Sequence, residues 1–259
     1  MSDRIGFRTI GYRRFAPDEA IRRIAAVGYD GVEVCLEHPG LEPEQISVMT
    51  AADLTRVAES SGIEIATVSY HGDRDPLDLR WERAMIAIEL TPAMGADILI
   101  INSPRPGSSN AEELHAEFRR QLDLQLERAE HLGVTLALEP EPGLIVDDCT
   151  DMLDLLHEIG SDNLGCNLDV GHAFLTEEDL TASIRRLGGQ IVAAHVEDMP
   201  AGEHRHLVPG EGEMDLPEVL SGLNATGFDG WLTVDLFDIA ETPDEAAEAS
   251  LRAMRKLVE

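Results

Sequence analysis

The sequence predicts an α/β protein folded as a single (β/α)₈ barrel over residues 1–259. Three observations carry that prediction. The length, 259 residues, matches one such barrel. Strand and helix patterns alternate eight times, with glycines recurring at helix ends. Four of the strand patterns finish in a metal-capable side chain: Glu139, Asp169, His195 and Asp235. These four lie about 26 to 40 residues apart, the span of one strand plus one helix.

The elements follow in order. Arg4 to Thr9 reads as the first strand. Pro17 opens a helix whose Ile21, Ile24, Ala25 and Val27 keep helical spacing, and Gly28 ends it. Residues 31–35 give the second strand, and Ser47 to Ser61 the second helix, stopped by Gly62. Residues 63–70 form the third strand, followed by His71. Leu79 to Met94 is the third helix, with Pro92 expected to kink or fray its last turn. Asp97 to Asn102 is nearly all apolar, as in a strand buried on both faces. Asn110 is the expected cap of a long helix that runs to Leu132. The second half repeats the rhythm with strands 134–139, 164–169, 191–196 and 231–236. Its helices are expected at 150–159, 176–187, 217–225 and 243–258. The absence of a G-x-G-x-x-G pattern favours a closed barrel over a dinucleotide-binding sheet. No linker marks a second domain. The 198–214 stretch is too long for a plain connection and is expected to be functional.

Charge narrows the function classes. Fifty acidic against twenty basic residues give a net charge of −30. Such a field repels nucleic acid and anionic membrane surfaces. Lys256 is the only lysine. Adaptation to high salt and an Arg-favouring, GC-rich genome explain that equally well. Cys35, Cys149 and Cys166 show no C-x-x-C spacing, so reduced thiols are expected, with Cys35 and Cys166 buried in strands. With no signal-peptide pattern and no long apolar run, a soluble cytoplasmic protein is expected.

In a parallel barrel the four strand ends converge on one face, the face where such barrels place their sites. Glu139, Asp169, His195 and Asp235 would then ring one divalent cation. Three carboxylates and one imidazole suit Mn²⁺ or Mg²⁺ by ligand hardness, and Co²⁺ or Zn²⁺ are also compatible. Proton transfer beside a carbonyl needs a base and stabilisation of the resulting enediolate, which the cation would supply. Glu139 is the first choice for the base.

The strings at 136–140 (Leu-Ala-Leu-Glu-Pro), 167–172 (Asn-Leu-Asp-Val-Gly-His) and 195–198 (His-Val-Glu-Asp) resemble the xylose isomerase-like TIM-barrel superfamily. So do Val-Pro-Gly-Glu-Gly-Glu-Met-Asp at 208–215 and Gly-Phe-Asp-Gly-Trp at 227–231. The sugar phosphate isomerase/epimerase group, with its ketose 3-epimerases and inosose isomerases and dehydratases, is the nearest match, over the whole chain. The resemblance implies metal ligands at Glu139, Asp169, His195 and Asp235. It also implies catalytic proton transfer by Glu139 and Asp235 from opposite faces. The family's last ligand is usually glutamate, so Asp235 is one methylene short. His172 would hydrogen-bond the substrate. The His204-Arg205-His206 cluster falls where the family binds substrate, and Arg205 and His206 are the candidates there. Glu141, His71 and His38 are further substrate-contact candidates, and Asp198 is expected to orient a neighbouring His or Arg. Trp231 and Phe237 are expected to pack the barrel.

The leading expectation is a metal-dependent isomerase or epimerase of a small polyhydroxy carbonyl compound. The alternative keeps the metal and base but eliminates water or an aglycone from an inosose or 3-keto-glycoside, and the short Asp235 raises it. A non-catalytic binding barrel and an endonuclease IV-like nuclease are weaker. The latter needs more His and Glu ligands and a less acidic chain. Homo-oligomers are expected by analogy with the family alone.

Overall fold

A computed structural model describes residues 2–106, 111–239 and 241–259. Its eight strands are β1 (Ile5–Arg8), β2 (Gly31–Cys35), β3 (Glu64–Ser69), β4 (Ile98–Asn102), β5 (Thr135–Glu139), β6 (Leu164–Asp169), β7 (Ile191–Val196) and β8 (Leu232–Val234). They close into a barrel in sequence order, and every neighbouring pair is parallel.

Nine α-helices cover the strands among the described residues: α1 (Pro17–Val27), α2 (Val48–Ser61), α3 (Leu77–Ala93), α4 (Ala111–Leu132), α5 (Cys149–Ile159), α6 (Val170–Thr176), α7 (Leu180–Leu187), α8 (Leu216–Ala225) and α9 (Pro243–Val258). Ser47 caps α2, and Asp148 caps α5 by accepting from the N–H groups of Thr150 and Asp151. Pro92 sits in the last turn of α3, which ends one residue later. The expected cap Asn110 lies outside the described residues. Among those residues no helix is long and apolar enough to cross a membrane.

The expected helix 176–187 is a correction. The chain forms two helices there, α6 and α7, broken at residues 177–179. Asp169 is the reason: its side chain accepts from the His172 N–H and starts a helix directly off β6. A second cap, Asp179, accepts from the Ala182 N–H and starts α7 afresh.

Strand alternation divides the core in two. Ile5 and Phe7, Val32 and Val34, and Leu136 and Leu138 join the large apolar layer between strands and helices. Their neighbours in sequence face the barrel axis. There a small cluster of Ile100, Ala137 and Ala193 lies alongside buried polar residues that include Glu33, Thr67, Asn167, His195 and Thr233. Glycine makes room for a plug among these inward positions. A Cβ on Gly31 would lie 2.6 Å from the Trp231 ring and 3.0 Å from the Ala66 Cβ. Trp231 is buried, as expected of a packing residue.

Gly31→Ala should therefore destabilise the barrel by about 1–3 kcal/mol through overpacking. Urea denaturation followed by Trp fluorescence would measure the lowered midpoint.

Candidate active site

The inward positions at the C-terminal ends of the strands are where the titratable residues gather. Register sets them level: Asn102 pairs with Glu139, Asp169 with His195, and His195 with Thr233. β8 ends at Val234, and the Asp235 N–H donates to the Val196 carbonyl at 3.2 Å. Glu139, Asp169, His195 and Asp235, expected to converge, do so, and all are buried.

Two residues missed by sequence reasoning hold this ring together. Arg8, at the end of β1, donates through Nη1 to Asp235 Oδ2 at 2.6 Å. Its Nε lies 2.7 Å from Glu33 Oε1. Glu33, on β2, also accepts from His195 Nε2 at 2.9 Å and from the Thr67 hydroxyl at 2.8 Å. The result is a continuous buried chain, Asp235–Arg8–Glu33–His195. Burial alone would favour neutral carboxyls. The His195 and Arg8 charges outweigh it at Glu33, and Arg8, His206 and His195 outweigh it at Asp235. Each carboxyl is held at about 2.

Glu139 stands at the centre. Its Oε2 accepts from Asn167 Nδ2 at 2.7 Å and lies 3.1 Å from His195 Nδ1 and 3.4 Å from His71 Nε2. Its Oε1 lies 3.4 Å from His172 Nδ1. Burial opposes the charge, but His195 and His71 hold Glu139 well below the usual carboxylate range. Burial likewise opposes a charge on His71, yet the Glu139 hydrogen bond raises it to about 9. Arg8 Nη2 lies 3.4 Å from His71 Nδ1, a contact that suits only the neutral ring. The Arg8–Asp235 hydrogen bond, at 2.6 Å, is the shorter of these two Arg8 contacts.

Several buried atoms lack a hydrogen-bond partner: Asp169 Oδ2, His195 Nδ1, Glu197 Oε2 and Asp235 Oδ1. Leaving such groups unpaired is costly. Glu139, Asp169 and His195 offer ligand atoms within 4.8 Å of one another, so this trio could hold a metal ion. Asp235 is not part of that trio, and its Oδ2 accepts from Arg8. Glu197 fills the space beside it. Its Oε1 accepts from the Gly171 N–H at 2.7 Å. Burial, then the neighbouring Asp169 and Asp235 carboxylates, push its carboxyl well up.

Above the ring lies a cleft of about 740 Å³, an ordinary size for a small-molecule site. Glu139, Glu141, His71, His172, His206 and Asp235 all line it. Glu141 accepts from Asn102 Nδ2 at 3.0 Å, and burial raises its carboxyl. Arg205 does not line the cleft. It is exposed and pairs with Glu203 at 3.6 Å, while His204 and His206 on either side turn inward. Three further expectations change. His38 is buried among the carbonyls of Pro39 and Tyr12 rather than in the cleft. Asp198 orients no cleft side chain: it accepts from the N–H groups of Met199, Gly210 and Met214, which shapes the 198–214 loop. Phe237, expected to pack the barrel, lines the cleft instead, 4.8 Å from the His206 ring.

A family model described as xylose isomerase-like TIM barrel matches residues 21–257. Fructoselysine 3-epimerase of Shigella flexneri is 25% identical over 272 residues, covering 98% of this chain and 97% of its own length. 3-Dehydroshikimate dehydratase of Pseudomonas putida is 29% identical over 265 residues, covering 93% of this chain and 40% of its own length. Among solved structures, the IOLI protein with a bound zinc atom is alike in fold. Its TM-score is 0.82 at 19% identity, over 98% of each chain.

Arg8→Met would strip Glu33 and Asp235 of their buried counter-charge. Removing one partner of such a pair costs about 3–5 kcal/mol. Urea denaturation at neutral pH should register that loss, with partial recovery in Arg8→Met/Asp235→Asn.

Proposed function

The chain belongs to the xylose isomerase-like TIM-barrel family and is an enzyme of the isomerase and epimerase class; on that footing we propose that it moves a proton beside the carbonyl of a small sugar or cyclitol. The observation that carries this reading is the surrounding of Glu139. A buried, ionised carboxylate opens onto a cleft and is held by Asn167 Nδ2. It stands next to the bare Asp169 Oδ2 and His195 Nδ1.

The donor set fits a divalent cation. His195 Nε2–H is committed to Glu33, which fixes the tautomer and turns the Nδ1 lone pair towards Glu139 and Asp169. Glu139, Asp169 and His195 would hold the ion, with Asp235 Oδ1 as the fourth candidate. Burial disfavours an imidazolium, yet Glu33 and Glu139 push His195 well up. When bound, a divalent ion polarises a substrate carbonyl and its neighbouring hydroxyl. Mn²⁺ or Mg²⁺ suits the carboxylates, and Zn²⁺ or Co²⁺ suits the imidazole.

The chain's own residues do the rest. Glu139 takes the proton from the carbon beside the carbonyl. Returning the proton to the former carbonyl carbon, while the neighbouring hydroxyl proton passes to the carbonyl oxygen, completes an isomerisation; a proton given by a second group to the opposite face of the same carbon completes an epimerisation. His172, His206, His71 and Glu141 line the cleft and orient the substrate hydroxyls. Asp235 as a second proton carrier is weakened by Arg8, whose 2.6 Å hydrogen bond keeps it ionised and turned aside.

That last contact favours a second reading. One-base chemistry can equally end in elimination, so a dehydratase or lyase acting on an inosose or 3-keto-glycoside shares this site. In either case the net charge of −30 weighs against a nucleic-acid substrate. The three buried free cysteines suit a reducing, cytoplasmic setting.

Two experiments test the proposal. Mn²⁺ should raise the melting temperature of the wild type and leave Glu139→Gln unchanged; equal responses would remove Glu139 from the site. In ²H₂O, a panel of ketoses and inososes should yield one substrate that gains deuterium next to its carbonyl. Glu139→Gln should slow that uptake by about 10²–10⁴-fold, the usual worth of a positioned general base. Loss of water from the substrate would select the dehydratase reading.

A further inference from the structure

His71 reaches the cleft from the loop that follows β3, and its ring is weakly held. Nε2 lies 3.4 Å from Glu139 Oε2, and Nδ1 lies 3.4 Å from Arg8 Nη2. Both contacts sit at the long limit for a hydrogen bond. The short contacts are made by the backbone. Glu37, just past the end of β2, accepts from the His71 N–H at 2.5 Å and from the Gly72 N–H at 2.8 Å, both through Oε1. Its Oε2 accepts from the Cys35 thiol at 3.1 Å.

Glu37 is exposed at the cleft, where water alone could satisfy it. Both of its oxygens are nonetheless committed to protein donors. A carboxylate that accepts from two successive backbone N–H groups makes charge-assisted bonds, which are stronger than neutral ones. Burial and the nearby Glu37 charge keep the Cys35 thiol protonated, so it donates. Residue 72 has to be glycine for the loop to turn here. Its φ is +68°, and a Cβ would lie 2.7 Å from the Tyr70 hydroxyl. The far end of the loop is fixed separately. Asp75 accepts from the Tyr70 hydroxyl at 2.6 Å and from Arg83 Nη1 at 2.7 and 2.9 Å. Glu37 is the anchor beside the imidazole itself.

We propose that Glu37 is the positioning residue for His71: its carboxylate clamps the backbone of residues 71 and 72, and so holds the imidazole beside Glu139 at the cleft. The inference rests on the function proposed above in one respect, that a substrate occupies the cleft next to His71. Glu37 acts through His71 and the loop, by accepting hydrogen bonds. Glutamine, which keeps an acceptor oxygen, can fill that role, and alanine cannot. The clamp also joins β2 to β3 across the mouth, so the two strands set the position of one side chain together.

The test uses the full chain labelled with ¹⁵N-histidine, with His71→Ala identifying the His71 ring signals by their loss. Glu37→Ala should shift those signals and leave the exposed His131 and His157 where they were. Glu37→Gln should keep the His71 signals near their wild-type positions. This readout needs no substrate, so it stands apart from the proton-transfer reading. With the substrate found by deuterium uptake, Glu37→Ala should lower kcat/KM by about 10–100-fold, the usual cost of losing a group that orients an active-site side chain. Glu37→Ala/His71→Ala should be no slower than His71→Ala alone, because the two residues act as one unit. Matching far-UV circular dichroism would exclude misfolding. Unmoved His71 signals in Glu37→Ala, signals in Glu37→Gln that match Glu37→Ala, or losses that multiply in the double variant would each overturn the proposal.

Discussion

The barrel mouth depends on one arrangement of charge: the guanidinium of Arg8 lodged between Glu33 and Asp235. Glu33, Glu139, Asp169, Glu197 and Asp235 are all buried around the same axis. Without compensation, their mutual repulsion and desolvation would protonate several of them. Arg8 neutralises two directly, and Glu33 in turn fixes His195 by its Nε2. Orientation of the bare His195 Nδ1 and ionisation of Asp235 are thus set by a residue at the other end of the chain. Glu197, beside Asp169 and Asp235, carries burial and their repulsion as a raised carboxyl.

That coupling gives the site its asymmetry. On one side Glu139 is ionised, backed by Asn167 and open to the cleft. On the other, Asp235 is ionised but bound to Arg8. A pair of equivalent proton carriers facing one substrate would need both carboxylates free. The two sides also differ in ligand chemistry, with oxygen-rich groups at the floor and imidazoles along the wall. A substrate hydroxyl or carbonyl entering the cleft meets both.

The architecture was legible in the sequence because barrel strands and helices announce themselves by local periodicity. Glu139, Asp169, His195 and Asp235 were legible for a related reason: each ends an apolar run. Arg8 and Glu33 were not, since a single polar residue in a short strand resembles any strand-edge residue. Their partners lie 227 and 162 positions away. Alternation along β1 and β2 could have turned both inward, given the inward glycines Gly6 and Gly31 two positions earlier. Asn167 was hidden inside the motif that drew attention to Asp169. Helix α6 was missed because Val170-Gly-His reads as a loop until Asp169 is seen as its cap. Arg205 was grouped with its neighbours because a basic cluster was treated as one unit, whereas outside a helix adjacent side chains diverge.

The proposed chemistry depends on Glu139, Asp169 and His195 surrounding one divalent ion at the floor of the cleft. Anomalous diffraction from crystals grown with Mn²⁺ tests it most directly. A manganese peak is expected within bonding distance of a Glu139 carboxylate oxygen, Asp169 Oδ2 and His195 Nδ1. A fully loaded crystal with no manganese there, and with His195 Nδ1 hydrogen-bonded to Glu139 instead, would contradict it.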